Sequence, residues 1–349
     1  MAVTPAPAGT APSGPAARRD PGDTALGLAK RFLTLREGSI IVVTLITAIY
    51  FSATVSSFLT VSNFKTLLPY FAPYAIMAAG QVFVMINGEI DLSIGAVYLF
   101  TPFWLHQVHH WGLPLIPALI VALITAMVIG GINGFFVSVI GISSFVATLG
   151  MLVVLDGITL VMSHATPVSM PATSVTGVGT FAQIFGAGTY SEFIWAIGIV
   201  VILQLVLTFT RWGVYTVSVG GNRLGSAEAG IRVRLVLIRN LVLCATCAGF
   251  VGILEAIRVT TATPDPSASN DILFQVISAA VIGGTLLRGG SGTVVGALIG
   301  ALFLGILHDG LILKGVNANY LDLYLGLAIL IAMTINTYVA RVRTGSGRG

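Results

Sequence analysis

Charged side chains are scarce in this sequence of 349 residues: Asp, Glu, Lys and Arg make up 9% of it, and hydrophobic residues 56%. A soluble globular domain carries about 25% charged residues, so this chain has too few charges for a soluble enzyme or a nucleic-acid-binding protein. Apolar stretches instead run for about 20 residues, the length that crosses the hydrocarbon core of a bilayer. The composition therefore predicts an all-α polytopic membrane protein that is surrounded by the lipid bilayer and binds no nucleic acid.

Cysteine and lysine are also rare, and the usual catalytic patterns are missing. The two cysteines, Cys244 and Cys247, lie inside an apolar stretch, which favours buried small side chains over a redox pair. None of the three lysines (Lys30, Lys65 and Lys314) follows a glycine, so the phosphate loop G-x-x-x-x-G-K-S/T is absent. No Ser/His/Asp, H-E-x-x-H or paired-carboxylate pattern indicates an enzyme. We therefore expect neither ATP binding nor catalysis by this chain.

Ten apolar segments are long enough to be membrane-spanning helices. They lie at 39–59, 67–86, 92–108, 114–140, 144–163, 191–210, 240–258, 273–287, 293–312 and 321–340. With the amino terminus inside, 14 of the 17 Lys and Arg residues fall on the cytoplasmic side, in agreement with the positive-inside rule. We therefore predict about ten transmembrane helices with both termini cytoplasmic.

The sequence divides into one membrane domain and two terminal segments. Residues 1–36 are rich in Ala, Pro, Gly, Ser and Thr, a composition that cannot bury a core, and we expect a disordered cytoplasmic segment there. Residues 37–340 form the predicted membrane domain, and residues 341–349 a cytoplasmic tail.

Two loops of the membrane domain are long enough to bind other proteins. The external loop 164–190 is rich in Thr, Ser, Gly and Pro. The cytoplasmic loop 211–239 carries five arginines and one glutamate, and its segment 225–231 is typical of a short helix outside the membrane. The composition of this loop is compatible both with contact to a soluble protein and with simple anchoring by positive charge.

A polar block, Asn87-Gly-Glu-Ile-Asp-Leu-Ser-Ile-Gly95, separates the second and third apolar segments. Carboxylates at membrane depth are costly, and they mark a transport pathway, a proton relay or a structural pairing. Asp91 and Ser93 are placed to cap the following helix, whose free N–H groups need acceptors. Capping does not explain Glu89, so the block is a candidate pathway.

A second block, from Gly283 to Gly296, is rich in glycine and joins the eighth and ninth segments. Its Gly289 and Gly296 match Gly88 and Gly95 of the first block at a common offset of 201 residues. Both blocks follow a segment that runs inward, as a parallel internal repeat requires. The match therefore suggests that the chain contains two related halves.

Isolated ionisable residues give weaker indications. His106, His109 and His110 share a helix face near the outer end of the third segment, but no carboxylate or thiol lies nearby in the sequence. They predict an interfacial helix end and no metal site. Carboxylates in or near apolar segments are candidates for a proton relay. They are Asp156, Glu255, Asp309 and Asp322.

Four blocks of sequence resemble a known family when they are taken together. The first, Gly88-Glu-Ile-Asp-Leu-Ser-Ile-Gly95, is similar to the G-G-I-D-L-S-V-G signature of ribose-type permeases, the membrane subunits of monosaccharide ABC importers. The other blocks follow in family order. They are Asn133-Gly134 with Ser144-Phe-Val-Ala-Thr-Leu-Gly150; Arg211-Trp-Gly213 with Val219-Gly-Gly-Asn222 and Ala229-Gly-Ile231; and Val281-Ile-Gly-Gly-Thr285 with Gly289-Gly-Ser-Gly-Thr293 and Gly300.

This resemblance implies a multi-pass permease subunit in the cytoplasmic (inner) membrane of a bacterium. It would translocate a monosaccharide or similar small polyol by alternating access. The implied substrate path comprises Asn87, Glu89, Asp91, Ser93, Asn133, Phe145 and Thr148. The implied ATPase-coupling residues are Arg211, Gly220, Gly221, Asn222, Glu228, Gly230, Ile231 and Arg232. The implied helix-packing or hinge glycines are Gly88, Gly95, Gly283, Gly284, Gly289, Gly290, Gly292 and Gly296.

The resemblance also implies partner proteins. A cytoplasmic ABC ATPase would seat on the loop 211–239, an external sugar-binding protein would dock on outer loops including 164–190, and a second permease copy or a homologue would complete the path. ATP and Mg would be bound by the ATPase, so we expect no cofactor in this chain. The path should bind sugar weakly, because a ligand shifts a two-state equilibrium only by its differential affinity for the states.

Three departures from the family pattern leave the substrate open. Glu89 replaces the commoner second Gly, Ser143-Ser144 stands where many members have a Pro, and His308-Asp309 stands where members usually have two Asn. Nucleosides, inositols and furanosyl signalling molecules are therefore open alternatives to a sugar.

A different class of protein is the main competing interpretation. A secondary transporter coupled to protons or ions would use Glu89, Asp91 or Asp309, but it gives the loop 211–239 no role. A membrane enzyme is a third, weaker alternative.

Overall fold

The computed structural model describes residues 38–171 and 178–345, which contain thirteen α-helices. In chain order, these are α1 (Gly38–Thr54), α2 (Val61–Ile86), α3 (Ile94–His110), α4 (Leu115–Phe135), α5 (Ser144–Ser163), α6 (Gly179–Ala182), α7 (Ser191–Phe209), α8 (Arg211–Gly221), α9 (Arg223–Glu228), α10 (Val233–Arg258), α11 (Pro266–Ile282), α12 (Val294–Leu313) and α13 (Leu321–Gly345). Two-residue strands β1 (Val168–Ser169) and β2 (Thr261–Ala262) pair antiparallel. The predicted disordered segment 1–36 lies outside the described residues.

Six helices are long and apolar enough to cross a membrane: α2, α4 with its π-helical continuation to Ile140, α5, α7, α10 and α12. Each of the ten predicted segments also coincides with a helix of 17 or more residues in the described part of the chain. The prediction of an all-α polytopic membrane protein is confirmed at this level.

Several predicted boundaries are wrong where polar residues begin a helix. α10 begins at Val233 and not at 240, so the end of the predicted loop 211–239 is helical. α11 begins at Pro266 and not at 273, because Asp265 caps it by accepting from the Ser267 N–H (2.9 Å). Hydropathy detects only the apolar part of such helices.

The two predicted loops also contain regular structure. The external loop 164–190 holds β1, α6 and a π-helical turn at Gln183–Ala187. The short helix predicted at 225–231 lies at Arg223–Glu228, where Asn222 accepts from the Gly225 N–H (2.9 Å).

The core of the membrane domain is built around α2 and α10. α2 packs against α7, α10, α11 and α12, while α10 packs against α2, α3 and α4. Small residues allow this close packing: a Cβ on Gly80 of α2 would lie 3.1 Å from Cys247 Cβ of α10. By contrast, α5 and α7 leave most of their apolar side chains exposed at the surface.

Two helix pairs are each interrupted by a non-helical segment. We call residues 87–93, between α2 and α3, the first break, and residues 283–293, between α11 and α12, the second break. α2 packs against α12, and α3 packs against α11. The two breaks are thus placed alike in the fold, in agreement with the 201-residue offset between their glycines.

Candidate functional site

The first break is non-helical backbone that side chains of α5 hold in place. Ser144 Oγ accepts from the Ile90 N–H (3.2 Å), and Thr148 Oγ1 accepts from the Leu92 N–H (2.9 Å). Non-helical backbone at membrane depth requires such partners, because lipid offers none. These bonds therefore stabilise the non-helical backbone between α2 and α3.

A buried polar network begins within this break. The carboxylate of Asp91 has no solvent exposure, and its Oδ1 accepts from the Ser93 N–H (2.9 Å) and hydroxyl (2.6 Å). Asn133 Nδ2 of α4 donates to Ser93 Oγ (2.8 Å), and Asn133 Oδ1 has no hydrogen-bond partner among the described residues. The prediction that Asp91 and Ser93 cap α3 is wrong. Asp91 accepts from Ser93, which precedes the helix, and among the described residues neither side chain accepts from an N–H group of α3.

Asn87 joins the first break to α8 and α10. Its Nδ2 donates to the Thr216 carbonyl (2.8 Å), and its Oδ1 accepts from Asn240 Nδ2 (2.5 Å). Asn240 Oδ1 in turn accepts from the Trp212 indole N–H (2.6 Å). The amide of Asn87 is thus used in contacts within the protein.

Glu89 faces the short helix α9. Its Oε1 lies 2.5 Å from Arg223 Nη2, which also donates to the Asn87 carbonyl at 2.8 Å. The Glu89 side chain is 13% exposed and that of Arg223 46%. The residue that departs from the family pattern is therefore tied to the loop 211–239.

Close backbone contacts complete this connection. The Gly290 N–H of the second break donates to the Ile86 carbonyl at the end of α2 (2.7 Å). A Cβ on Gly220 of α8 would lie 1.7 Å from that carbonyl oxygen, whereas one on Gly221 would meet nothing within 4 Å. We call Gly88, Gly220, Gly289 and Gly290 the glycine junction. A Cβ on Gly220 or Gly289 would clash with backbone atoms of the neighbouring segments, and Gly88, Gly289 and Gly290 adopt positive φ, which favours glycine.

At the start of α12, side chains of other residues accept hydrogen bonds from the first N–H groups of the helix. Gln204 Oε1 of α7 accepts from the N–H groups of Val294 (2.9 Å) and Val295 (3.1 Å), and Thr293 Oγ1 accepts from the Gly296 N–H (3.0 Å). A Cβ on Gly296 would lie 2.0 Å from the Gly283 carbonyl oxygen. The predicted packing glycines all lie at such close approaches or at positive φ. They are Gly88, Gly95, Gly283, Gly284, Gly289, Gly290, Gly292 and Gly296.

The predicted coupling residues lie along α8, α9 and the turn that follows. Most are exposed, and so is Leu224, whose side chain is 71% exposed. They are Arg211, Gly220, Gly221, Asn222, Glu228, Gly230, Ile231 and Arg232. Together with Leu224, they form a surface next to the first break.

The predicted path residues separate into three places. Asp91, Ser93 and Thr148 lie at the first break, together with Asn133. Asn87 and Glu89 face α8 and α9, as described above. Phe145, by contrast, points outward from α5 and is 55% exposed.

Sequence reasoning missed the residues that make these connections. Asn240, Trp212, Thr216, Arg223 and Gln204 were not predicted as part of the site. Asn240 carried a usable signal, because it is a polar residue inside an apolar helix and is 1% exposed. Its partner Asn87 is distant in the sequence, so the pairing was not predictable.

Three of the other ionisable candidates, Glu255, His106 and His109, have local partners, whereas Asp156 Oδ1 has no hydrogen-bond partner among the described residues. Glu255 pairs with Arg258, whose Nε lies 3.3 Å from Glu192 Oε2. The rings of His106 and His109 contact the Ser169 and Leu113 carbonyls, respectively.

Comparison with known proteins assigns the family. Residues 63–334 match the family described as branched-chain amino acid transport system / permease component. The chain belongs to this family. It is 33% identical over 330 residues to the xylose/arabinose import permease protein XylH of Sulfolobus acidocaldarius, covering 90% of this chain and 88% of the relative.

Further relatives carry the name ribose import permease protein RbsC. That of Escherichia coli K12 is 33% identical over 288 residues, covering 80% of this chain and 87% of the relative. That of Bacillus subtilis is 34% identical over 286 residues, covering 80% and 86%. No solved structure matches the chain significantly.

This permease is a multi-pass inner-membrane protein. Its family consists of transport components, so it is a transport subunit and not an enzyme. The comparisons do not favour the alternative of a proton- or ion-coupled secondary transporter.

Proposed function

We propose that this permease is the membrane subunit of an ABC importer for a neutral monosaccharide, with ten transmembrane helices and both termini in the cytoplasm. The identity to relatives named for ribose and for xylose and arabinose supports the substrate class. The coincidence of ten long helices with the ten apolar segments supports the count. The excess of Lys and Arg on one side supports the orientation.

One observation carries the proposed mechanism: α8 and α9 are bonded directly to the first break. Asn87 bonds to Thr216 of α8, Glu89 pairs with Arg223 of α9, and Gly220 contacts the last turn of α2. A partner that pushes on α8 and α9 therefore moves the break and the helices α2 and α3 on either side of it. Rigid elements joined at such an interruption can transmit a switch between two arrangements.

The proposed partners follow from this arrangement. A cytoplasmic ABC ATPase, which binds ATP and Mg, seats on the surface around Leu224, Glu228 and Arg232. An external sugar-binding protein delivers the sugar at the opposite end, on loops that include 164–190. A second permease copy or a homologue faces this one across the path.

The proposed path uses the network at the first break and the outward face of α5. Asn133 Oδ1 has hydrogen-bonding capacity left for a sugar hydroxyl. Phe145 offers an exposed ring to the apolar face of a sugar. Asp91, Ser93 and Thr148 support this network, whereas Asn87 and Glu89 position the break against α8 and α9.

Affinity capture from native cells tests the ATPase site. The tagged full chain is purified in mild detergent and its partners are identified by mass spectrometry. We expect recovery of an ABC ATPase with a phosphate loop and of an external sugar-binding protein. The Leu224→Asp variant should not recover the ATPase, whereas Leu59→Asp, at another exposed leucine in the turn before α2, should still recover it. Repeated recovery of the chain without an ATPase, under conditions that preserve other ABC complexes, contradicts the proposal.

Uptake of radiolabelled sugar tests the path. Asn133→Ala and Phe145→Ala should abolish uptake while the complex still assembles, and Phe209→Ala, at an exposed ring of α7, should leave it unchanged. Uptake that collapses with an uncoupler while ATP is maintained would contradict an ATP-driven mechanism.

A further inference from the structure

A cavity of about 350 Å³ opens between the first half of α2 and the last half of α12. The other end of α2 contacts α8, so the cavity lies at the end of the membrane domain away from the proposed ATPase surface. We call it the outer cleft; its lining includes Ser57, Ser62, Asn63, Tyr70, His308 and Asp309. Its volume is at the lower end of the roughly 300–1,000 Å³ typical of small-molecule sites, and no predicted path residue lines it.

A buried carboxylate lines the outer cleft. Asp309 is 8% exposed, and its Oδ2 accepts from Asn63 Nδ2 at 2.8 Å. The same Nδ2 also donates to the Phe58 carbonyl (3.0 Å), which fixes the amide. Asp309 Oδ1 has no donor among the described residues, so this oxygen can accept strong, charge-assisted hydrogen bonds from a ligand hydroxyl.

Two stacked rings form part of the cleft wall. The rings of Tyr70 and His308 have centroids 4.4 Å apart and an angle of 8° between their planes. Such a stack presents a flat, rigid surface that can pack against the C–H face of a sugar ring. The stack belongs to α2 and α12, the helices that bound the cavity.

Hydroxyl groups at the cleft rim add hydrogen-bonding capacity. The hydroxyls of Ser57 and Ser62 form no hydrogen bond within the described part of the chain. Each hydroxyl can both donate and accept, as sugar hydroxyls do. Among the residues that the structure describes, no Lys or Arg lines the cavity, and these residues offer no lasting positive charge to a phosphate or carboxylate group.

We propose that the outer cleft is a binding subsite for the neutral monosaccharide, occupied after release from the external binding protein and before entry into the path. Asp309 Oδ1 accepts from sugar hydroxyls, the Tyr70 and His308 stack packs against the ring, and Ser57 and Ser62 complete the contacts. The inference rests on the proposed function, which supplies the substrate class. His308 and Asp309, which replace two Asn of the family pattern, then contribute to the choice of sugar.

The test uses the permease with its ATPase, purified in lipid nanodiscs without the binding protein. Binding of D-ribose, D-xylose, L-arabinose, D-glucose and D-galactose is measured by saturation-transfer NMR, with D-ribose 5-phosphate as the charged comparator. We expect weak binding of at least one neutral sugar and none of the phosphate ester. Asp309→Ala should raise the dissociation constant about tenfold, as for loss of a hydrogen bond to a charged group. Asp271→Ala, at an exposed carboxylate of α11, should not change it.

A second variant keeps the proposal falsifiable if Asp309→Ala misfolds. Ser62→Phe fills the exposed rim without removing a hydrogen bond, and should abolish the NMR signal and lower uptake in proteoliposomes that contain the binding protein. Normal sugar binding and uptake by Ser62→Phe would overturn the proposed role of the outer cleft as a sugar subsite and would leave the proposed function intact. A wild-type complex that hydrolyses ATP but neither binds nor imports any of the five sugars overturns both.

Discussion

The two breaks solve the same physical problem with different chemistry. Each leaves backbone N–H groups, within the break or in the first turn of the next helix, without partners in a helix. At the first break, Asp91 accepts from Ser93, and Thr148 accepts from Leu92. At the second break, Gln204 reaches from α7 to the start of α12, Thr293 accepts from the Gly296 N–H, and glycine backbones make the closest contacts.

The difference indicates which break moves. Hydrogen-bonded side chains can exchange partners when a helix shifts, whereas close-packed backbones have discrete arrangements and little tolerance for small displacements. The first break is also bonded to α8 and α9, the proposed ATPase surface. We therefore expect the first break to rearrange during transport and the second to serve as its fixed support.

The largest expected effect concerns the glycine junction where the two breaks meet. Gly220→Ala places a Cβ against the Ile86 carbonyl and should cost about 3 kcal/mol or more through forced backbone displacement. We expect little folded protein in the membrane fraction and a much lower melting temperature in detergent. Gly221→Ala is the matched control, because a Cβ there meets nothing within 4 Å. Equal stability of the two variants would disprove the backbone contact.

The second-largest loss of stability is expected in the polar network of the first break. Asp91→Ala leaves the Ser93 N–H and hydroxyl without their acceptor and should destabilise the protein by about 1–3 kcal/mol. Asp91→Asn retains an acceptor oxygen and should destabilise the protein less than Asp91→Ala does. Thermal unfolding followed by size-exclusion chromatography measures both. A larger loss in the Asn variant would mean that the charge, and not the hydrogen bonds, holds the break.

A smaller effect is expected at the second break. Gln204→Leu removes the acceptor for two N–H groups of α12 and should cost about 1 kcal/mol, as for loss of a helix cap. Gln204→Glu keeps the acceptor oxygen, so its stability should be closer to that of the wild type. If the second break is the fixed support, Gln204→Leu lowers the melting temperature, while the sugar uptake per folded molecule stays the same. Uptake that falls more than stability would reverse the assignment of the moving break.

The smallest effect on stability is expected for the ion pair between Glu89 and Arg223. Because Arg223 is half-exposed, Glu89→Gln should cost no more than about 1 kcal/mol. Its effect should instead be seen in ATP hydrolysis, with less stimulation by sugar-loaded binding protein. Asp271→Asn, which neutralises an exposed carboxylate of α11 outside the ATPase surface, controls for the loss of charge alone. Identical stimulation in the wild type and Glu89→Gln would show that the pair does not transmit movement.

The sequence predicted the helices and the location of the breaks, because apolar length and polar interruptions are local signals. It misplaced the starts of α10 and α11, where polar first turns carry no apolar signal. It also assigned a cap to Ser93, although Asp91, two residues earlier, competes for the Ser93 hydroxyl.

The connections between segments could not be predicted in this way. Asn87 and Asn240 meet only because α2 and α10 pack side by side, and a single sequence does not specify that packing. The same holds for Glu89, whose partner Arg223 lies on a separate short helix. The sequence identified the polar residues of the site correctly as unusual, but not what each of them contacts.

The hydrogen bond from the Gly290 N–H to the Ile86 carbonyl joins the two breaks through backbone atoms alone. Side-chain mutagenesis cannot remove this bond without adding bulk, so conventional scanning misses it. Its amide proton is nevertheless a natural probe of the resting state: exchange with deuterated solvent at Gly290 reports directly whether the two halves of the domain are in contact. A permease that separates these halves in each transport cycle would exchange this one proton in step with ATP turnover.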